Sequence, residues 1–396
     1  VSTYIAETEE YWLKKALMLS SVASMIDQFN MSNINILQNL GFEVHVLANF
    51  QDPGTITQER ADKLKVKLEK MNVKIYDVDM HRYPASKENW IAYKTIKQII
   101  ETEKYDLIHC HSPIGGVLAR LAANKSRKLF GTKVIYTAHG FHFFKGGPLK
   151  DWLVFYPIER YLSRYTDVLI TINQVDSAVA GKFRMKKLEY IPGVGLDTNK
   201  FETVAIDISK KREMLGIPND AFVILSVGEL SARKNHQVII DALHKLNNSK
   251  LYYLICGKGD TENELKEMIQ RFDLDNRVFL LGYRSDINEL NQIADVSAFP
   301  SRREGLGIAG LEAMAAGLPI LTSNVQGIPD YSINRVTGFN YDPMDADGFA
   351  SGIKTLFDEP ALAAQMGSNN RQAVKKYDIK NVNKIMRRIY SDLSSQ

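Results

Sequence analysis

The chain has 396 residues, 45% hydrophobic and 24% charged, with 50 Lys and Arg against 46 Asp and Glu. At roughly 150 residues per domain this length implies two or three domains, and the ordinary globular composition excludes disorder, collagen and mucin-like stalks. The two cysteines, Cys110 and Cys256, are far apart and lack a C-x-x-C partner, which excludes a disulfide framework and a cysteine zinc site and points to a reducing cytoplasm.

Residues 1–13 read as an extension outside the fold. Lys14 and Lys15 then precede Ala16-Leu17-Met18-Leu19, with small residues at 20–24. The order mimics a signal peptide, but the apolar part falls short of the ~7 residues of an h-region. It is a buried first strand. No apolar run reaches the ~18 residues needed to cross a bilayer.

Runs rich in Val, Ile and Leu at 16–20, 43–48, 74–78, 106–110, 133–138, 167–172 and 188–191 read as strands. Between them lie helical patterns such as 27–40, 57–71, 87–103 and 114–129. Continuous apolar runs mark strands buried on both faces, and the strand–helix rhythm marks a parallel sheet. The rhythm pauses at Pro192-Gly193-Val194-Gly195-Leu196-Asp197. It resumes with strands at 222–227, 252–256, 278–281, 296–299 and 320–321, interleaved with helices at 236–246, 263–272, 287–292 and 311–316. The fold class is therefore α/β, with two doubly wound parallel-sheet domains over residues 14–195 and 196–378. The tail from Asp347 is helical, and its last part, within 379–396, is placed to pack back across the domain junction. Ligands of open parallel sheets bind beyond the carboxyl ends of the strands, so the cleft between two facing sheets is the expected site.

Charge is uneven. Residues 120–187 hold 13 Lys and Arg against four Asp and Glu, a net +9. The same segment carries Phe141, Phe143, Phe144, Trp152, Phe155, Tyr156, Tyr161 and Tyr165. One reading is a solvated basic face over an aromatic core. The other is an interfacial patch, with aromatics among headgroups and cations on anionic lipid. No recognition motif for nucleic acid accompanies the charge.

The most specific motif is Glu304-Gly305-Leu306-Gly307-Ile308-Ala309-Gly310-Leu311-Glu312. Its two carboxylates, one on a loop and one about a turn into a helix, can both face the cleft. Ionised carboxylates are acceptors that suit vicinal sugar hydroxyls. The glycines admit a close ligand, and free amides at the helix start suit a diphosphate. Gly305, Gly307 and Gly310 also match a dinucleotide G-x-G-x-x-G, and Asp330 lies at a tolerable distance. That fingerprint belongs after the first strand of a domain, and Ile328-Pro329 does not read as a strand end, which argues against a dehydrogenase. His139 ends the strand 133–138 and points to the cleft; a lone strand-end histidine has a structural role as its alternative. His109 and His111 share one strand face and have the spacing of a metal pair, but no third ligand is evident. No metal is expected, and packing at the sheet edge is their expected role. Arg233-Lys234 reads either as an anion site or as a solvated helix start.

The E-x7-E motif, with Phe299-Pro300-Ser301 before it and Glu312-Ala313-Met314-Ala315-Ala316-Gly317-Leu318-Pro319-Ile320 around its end, resembles the retaining glycosyltransferases of family 4, which have the two-domain GT-B fold. The resemblance runs from about residue 15 over nearly the whole chain. Ile108-His109-Cys110-His111-Ser112-Pro113 and Tyr136-Thr137-Ala138-His139-Gly140-Phe141-His142-Phe143 are similar to members that build bacterial capsule and exopolysaccharide.

The resemblance implies a donor site in the second domain. Glu304, on the loop with Gly305, Leu306 and Gly307, would hold the donor sugar; Glu312 would hold the ribose. Lys234, beside Gly228 and Arg233, would bind the diphosphate, and Gly282, Tyr283 and Arg284 would flank the base, with a plain surface position as the alternative for Arg284. His139 would stand near the reacting carbon, with Ser24, Phe141 and His142 on the acceptor side. Two departures stand out. Glu229 occupies the place where many members carry Arg after the glycine, leaving Arg233 as the second cation. Ser21-Val22-Ala23-Ser24 replaces the frequent paired glycines of the first turn. The implied reaction moves a hexose or N-acetylhexosamine from a UDP-sugar to a polyprenyl-diphosphate-linked acceptor, with retention, without metal or cofactor. The implied place is the inner face of the cell membrane, with the +9 segment on anionic lipid. Two other classes stay open: a nucleotide-sugar epimerase on the same fold, and a non-catalytic nucleotide-sugar-binding protein.

Overall fold

A computed structural model describes residues 14–81, 86–202 and 205–394; the extension read at 1–13 lies outside them. The first sheet holds β1 (Lys15–Leu19), β2 (Glu43–Ala48), β3 (Lys74–Asp77), β4 (Leu107–His111), β5 (Lys133–Ala138), β6 (Val168–Thr171) and β7 (Lys187–Tyr190). The second holds β8 (Phe222–Val227), β9 (Leu251–Cys256), β10 (Val278–Gly282), β11 (Val296–Phe299), β12 (Ile320–Ser323) and β13 (Gly338–Tyr341). The spatial orders are β3-β2-β1-β4-β5-β6-β7 and β10-β9-β8-β11-β12-β13. Every pairing is parallel. Both sheets therefore switch winding direction beside their first strand, at β1/β4 and β8/β11, where doubly wound folds place ligands.

Burial on both faces follows from the strand sequences. In β1, Ala16 and Met18 join a core with Ile34 and Leu37, whereas Leu17 and Leu19 join one with Ala92, Ile96 and Ile100. Successive side chains thus face opposite helical layers, which is why the run has no polar alternation.

Three expectations need correction. The helices read at 27–40 and 114–129 are each two: Ala23–Phe29 with Met31–Asn39, and Pro113–Ala122 with Asn124–Phe130. The first break is at Asn30, whose side-chain amide turns back to the Met25 carbonyl at 2.8 Å, a local bond that competes with helix continuation. β4 lies mid-sheet, so His109 and His111 pack at the centre of the sheet rather than its edge. Phe141, Phe143 and Phe144 are buried, and Trp152, Phe155 and Tyr156 pack against the same core, so these rings do not form a surface patch.

The chain crosses between the sheets twice at one place. Leu196 N–H donates to the Tyr377 carbonyl and Ile379 N–H to the Leu196 carbonyl, both at 2.9 Å. After the second crossing, the helix Ile379–Ser394 returns to the first sheet. Lys14 Nζ donates to the Ser394 carbonyl (2.6 Å), Arg388 pairs with Glu189 (2.7 Å), and Tyr390 meets His109. Among the described residues, no helix is long and apolar enough to cross a membrane.

Candidate functional site

The site forms where the carboxyl ends of β5 and β11 face one another. The turn after β5 carries His139 and Gly140; the loop after β11 carries Glu304–Gly307. Their backbones touch. A Cβ on Gly305 would lie 2.0 Å from the His139 carbonyl oxygen, and one on Gly140 would lie 2.8 Å from Gly305 Cα. Only glycine permits that approach at Gly305. Polar bonds close the same seam. Asn173 Nδ2 donates to the Gly305 carbonyl (2.8 Å), Gln326 Nε2 to the Phe141 carbonyl (3.1 Å), and Gln174 N–H to Asp330 Oδ2 (2.8 Å). Asp176 is buried beneath them, and desolvation raises its carboxyl to about 6.

Glu304 and the two cations form one cluster, although about 70 residues separate them. Glu304 Oε2 accepts from Lys234 Nζ at 2.6 Å and from Arg233 Nη1 at 3.0 Å. Lys234 also lies over the Phe299 ring, 4.6 Å from its centroid. Burial lowers the Lys234 ammonium below its ordinary value, and Glu304 opposes that shift. Glu229, at the departing position, stands 3.7 Å from Arg233. Gly228 lies against the Lys234 methylenes, and a Cβ there would come within 3.3 Å of them. Such a pair of cations held at a loop is suited to an anionic phosphate.

Glu312 lies on the helix Ile308–Ala316, preceded by Gly307. Burial raises its carboxyl, Lys200 opposes the shift, and no hydrogen-bond partner exists among the described residues. Leu306 is buried beneath the loop. At the end of β10, Gly282 has a φ of 66° and Tyr283 is exposed. Arg284 is bound to Asp286 at 2.8 Å, and Asp286 in turn to Lys211 at 2.7 Å. The Arg284 charge is thus already paired.

Three imidazoles run inward from the cleft. His139 Nε2 meets His111 Nδ1 at 3.1 Å, and His111 Nε2 meets Met18 Sδ at 3.2 Å. A thioether only accepts. The hydrogen-bond partners therefore assign the hydrogen of His111 to Nε2, leaving its Nδ1 to accept from His139 Nε2–H. His139 then presents a bare Nδ1 acceptor. Desolvation keeps the chain neutral, with His139 lowered to about 4 and His111 well below its ordinary value. His109 bonds to Tyr390 Oη (2.7 Å) and Thr137 Oγ1 (2.8 Å) and is lowered to about 3. No cluster among the described residues has a metal-holding arrangement.

Two residues read on the acceptor side, Phe141 and Ser24, are buried. Phe141 is buried, stacked on Phe143 at 4.8 Å, and it faces the core because only its backbone lies at the seam. Ser24 is buried under the 51–57 loop, and its hydroxyl accepts from Thr55 N–H at 3.4 Å. His142 is half-buried against Phe155, with ring centroids 4.6 Å apart, and burial lowers its pKa. Other residues were missed. Arg303 stands beside Glu304; burial and the neighbouring Arg233 lower its pKa. Gly257 and Gly259 take the Gly228–Leu230 turn at close range: a Cβ on Gly257 would lie 1.8 Å from the Gly228 carbonyl. The Gly-Lys-Gly run at 257–259 was the available signal. Asn173 and Gln326 carried none.

Known proteins bear on this geometry. Residues 207–373 match the family described as glycosyl transferases group 1, and residues 17–173 the family described as glycosyl transferase 4-like. The Bacillus subtilis protein named "Putative glycosyltransferase EpsD" is 36% identical, over 96% of each chain. The Escherichia coli UDP-Gal:alpha-D-GlcNAc-diphosphoundecaprenol alpha-1,3-galactosyltransferase is 27% identical, over 95% of this chain and 96% of its own. Among solved structures, Anabaena HepE in complex with UDP superposes with a TM-score of 0.76 at 22% identity, covering 97% of this chain and all (100%) of that one. With two parallel sheets facing one cleft and relatives matched over almost their full length, the chain belongs to the GT-B glycosyltransferases of the group 1 and 4-like families.

Proposed function

We propose that the chain transfers a hexose or N-acetylhexosamine from a UDP-sugar to a saccharide on a polyprenyl diphosphate, with retention and without a metal. The observation that carries this reading is the Glu304–Lys234–Arg233 cluster at the seam between the sheets. In this reading Lys234 and Arg233 turn to the donor diphosphate, and Glu304, released from them, accepts from sugar hydroxyls. Glu312 accepts from the ribose. His139 Nδ1 accepts from a hydroxyl of the donor sugar. The aligned names support the chemistry: the Escherichia coli relative is named for a UDP-sugar donor and a diphosphoundecaprenol acceptor, and HepE for UDP.

The bond from the anomeric carbon to the phosphate oxygen breaks with its electron pair on the diphosphate. The acceptor oxygen bonds the anomeric carbon from the same face, and its proton passes to the departing phosphate oxygen. Lys234 and Arg233 stabilise the negative charge where it develops, without rearranging during the step. The closed seam at Gly140 and Gly305 excludes water and so limits hydrolysis.

Incubation with UDP-sugars, with and without a lipid-diphosphate saccharide, tests the reading through free UDP and product anomer. UDP release that requires the acceptor, with an anomer matching the donor, is expected. Donor consumption without acceptor would identify an epimerase, and UDP binding without turnover a binding protein.

A further inference from the structure

A buried polar chain runs beneath the turn that carries Arg233 and Lys234. It starts at the Ala298 carbonyl of β11, which accepts from Ser226 Oγ of β8 at 2.7 Å. Ser226 Oγ in turn accepts from Tyr253 Oη of β9 at 2.8 Å. Tyr253 Oη meets His236 Nδ1 at 3.3 Å, and His236 Nε2 meets the Glu229 carbonyl at 3.3 Å. Ser226, Tyr253 and His236 are all buried. His236 directly precedes the helix Gln237–Leu246. Its neighbour Asn235 donates to the Pro300 and Pro343 carbonyls at 3.0 and 2.7 Å and accepts from Arg302 at 3.0 Å. The backbone that carries the imidazole is thus anchored on one side, while its ring reaches the turn on the other.

This chain has more links than donor hydrogens. Both of its ends are carbonyl oxygens, which only accept, so its four links need four hydrogens from the three side chains between them. The two hydroxyls supply one each, and a neutral imidazole supplies one. With the serine and tyrosine hydrogens used in the two short links, a neutral ring has one N–H for both of its contacts, and those are the two long ones. An imidazolium, with a hydrogen on each nitrogen, completes all four. Burial and the Lys234 ammonium hold the ring neutral, lowered to about 4, while the Glu229 carbonyl pulls the other way. Lys234 is itself paired with Glu304. On β9, burial raises the Tyr253 phenol above its ordinary value and the Cys256 thiol to about 12, so neither carries charge near neutral pH.

We propose that His236 is a positioning residue for donor binding: it takes up a proton from solvent as a nucleoside diphosphate seats on Arg233 and Lys234, and the completed chain then fixes the Glu229 carbonyl and the turn behind those cations. This rests on the donor site proposed above. A diphosphate brings more negative charge to Lys234 than the single Glu304 carboxylate it displaces, which favours a cation on the neighbouring ring. The turn passes the effect on. Ser231 N–H donates to the Glu229 carbonyl and Lys234 N–H to the Ser231 carbonyl, both at 3.0 Å. By linkage, the proton and the diphosphate strengthen each other's binding by the same factor.

Calorimetric titration of the full chain with UDP at about pH 5.5, in two buffers of different ionisation enthalpy, counts the protons taken up. Titration of the nucleotide itself is common to every protein compared, so differences between them report the chain. The native protein is expected to take up at least about 0.3 proton more than His236→Asn. Its affinity for UDP should also rise at least about threefold more than that of the variant as pH falls from about 7 to about 5. Tyr253→Phe keeps the imidazole but leaves two carbonyls that Ser226 and a neutral Nε2–H already satisfy, so uptake should fall there too. UDP binding with equal proton counts in the native chain and His236→Asn would overturn the inference and leave the donor site standing. Uptake undiminished in Tyr253→Phe would overturn the role of the chain. Failure of the native protein to bind UDP would overturn the donor site and this inference together.

Discussion

Glu304 is shared by two cations, Lys234 and Arg233. Glu304→Gln keeps an acceptor but removes the charge that holds the Lys234 ammonium up against burial. Transfer is expected to fall by about a hundredfold, and the alkaline limb of the pH–rate profile to move to lower pH. A profile of unchanged shape would separate Glu304 from Lys234. The inward imidazoles give a second test at this scale. Met18→Leu, a change of similar volume in the core, removes the acceptor that orders His111. Nitrogen-15 spectra of histidine-labelled protein should show His139 as the Nε2–H form in the native chain and as a tautomer mixture in the variant. An Nδ1–H form of His139 in the native chain would reverse the assignment. The E-x7-E spacing made Glu304 and Glu312 legible, because both lie on one short loop and helix. That Glu304 is bonded to residues about 70 positions earlier was not legible, nor was the seam at Asn173 and Gln326, since such contacts exist only after both sheets form.

Elements carry their own consequences. β4 and the turn after β5 hold three neutral imidazoles, with His109 held at about 3, His139 at about 4 and His111 well below its ordinary value. In the unfolded chain each takes a proton below about pH 6.5. Between pH 6.5 and 4 the unfolded state therefore binds more protons, and stability falls as pH falls, by on the order of 1 kcal/mol per unit for each histidine. Asp176 acts in the opposite sense: its carboxyl, raised to about 6, holds a proton in the fold that the unfolded chain releases. The histidines, joined by His236 at about 4, carry larger shifts than the carboxyls that burial raises, Asp176 with Asp241, Asp295, Glu312 and Asp330. Melting temperatures should drop steadily from pH 6.5 to 4 at fixed ionic strength; a flat or rising trend would contradict the neutral assignment. Strands such as β2, β5, β8 and β11 were legible because Val, Ile and Leu run unbroken through them. β13 was not: it opens on Gly338, where a Cβ would lie 1.8 Å from the Ile320 carbonyl, and glycine reads as a breaker. Nor does an all-apolar helix such as Leu149–Leu162 declare which side it buries.

At the scale of the whole molecule, two sheets meet at a glycine seam and join through one double crossing. Gly305→Ala would place its methyl 2.0 Å from the His139 carbonyl oxygen while lying clear of both cores. Each half should keep its stability, but the cleft should stand wider. Small-angle scattering should report a larger radius of gyration, and transfer should drop by at least about tenfold. A compact variant of native activity would show that the seam is not the closed state.

The double crossing also dictates an order of assembly. Tyr390, which satisfies the buried His109 at 2.7 Å, belongs to a helix translated only after all of β8 to β13. A nascent first half consequently emerges with the His109 imidazole bonded to Thr137 alone and one helical layer incomplete. Ribosome-bound intermediates halted before residue 379 are expected to be open to proteases along β4 and β7, and to become resistant when the returning helix is synthesised. The lobe made first is finished last.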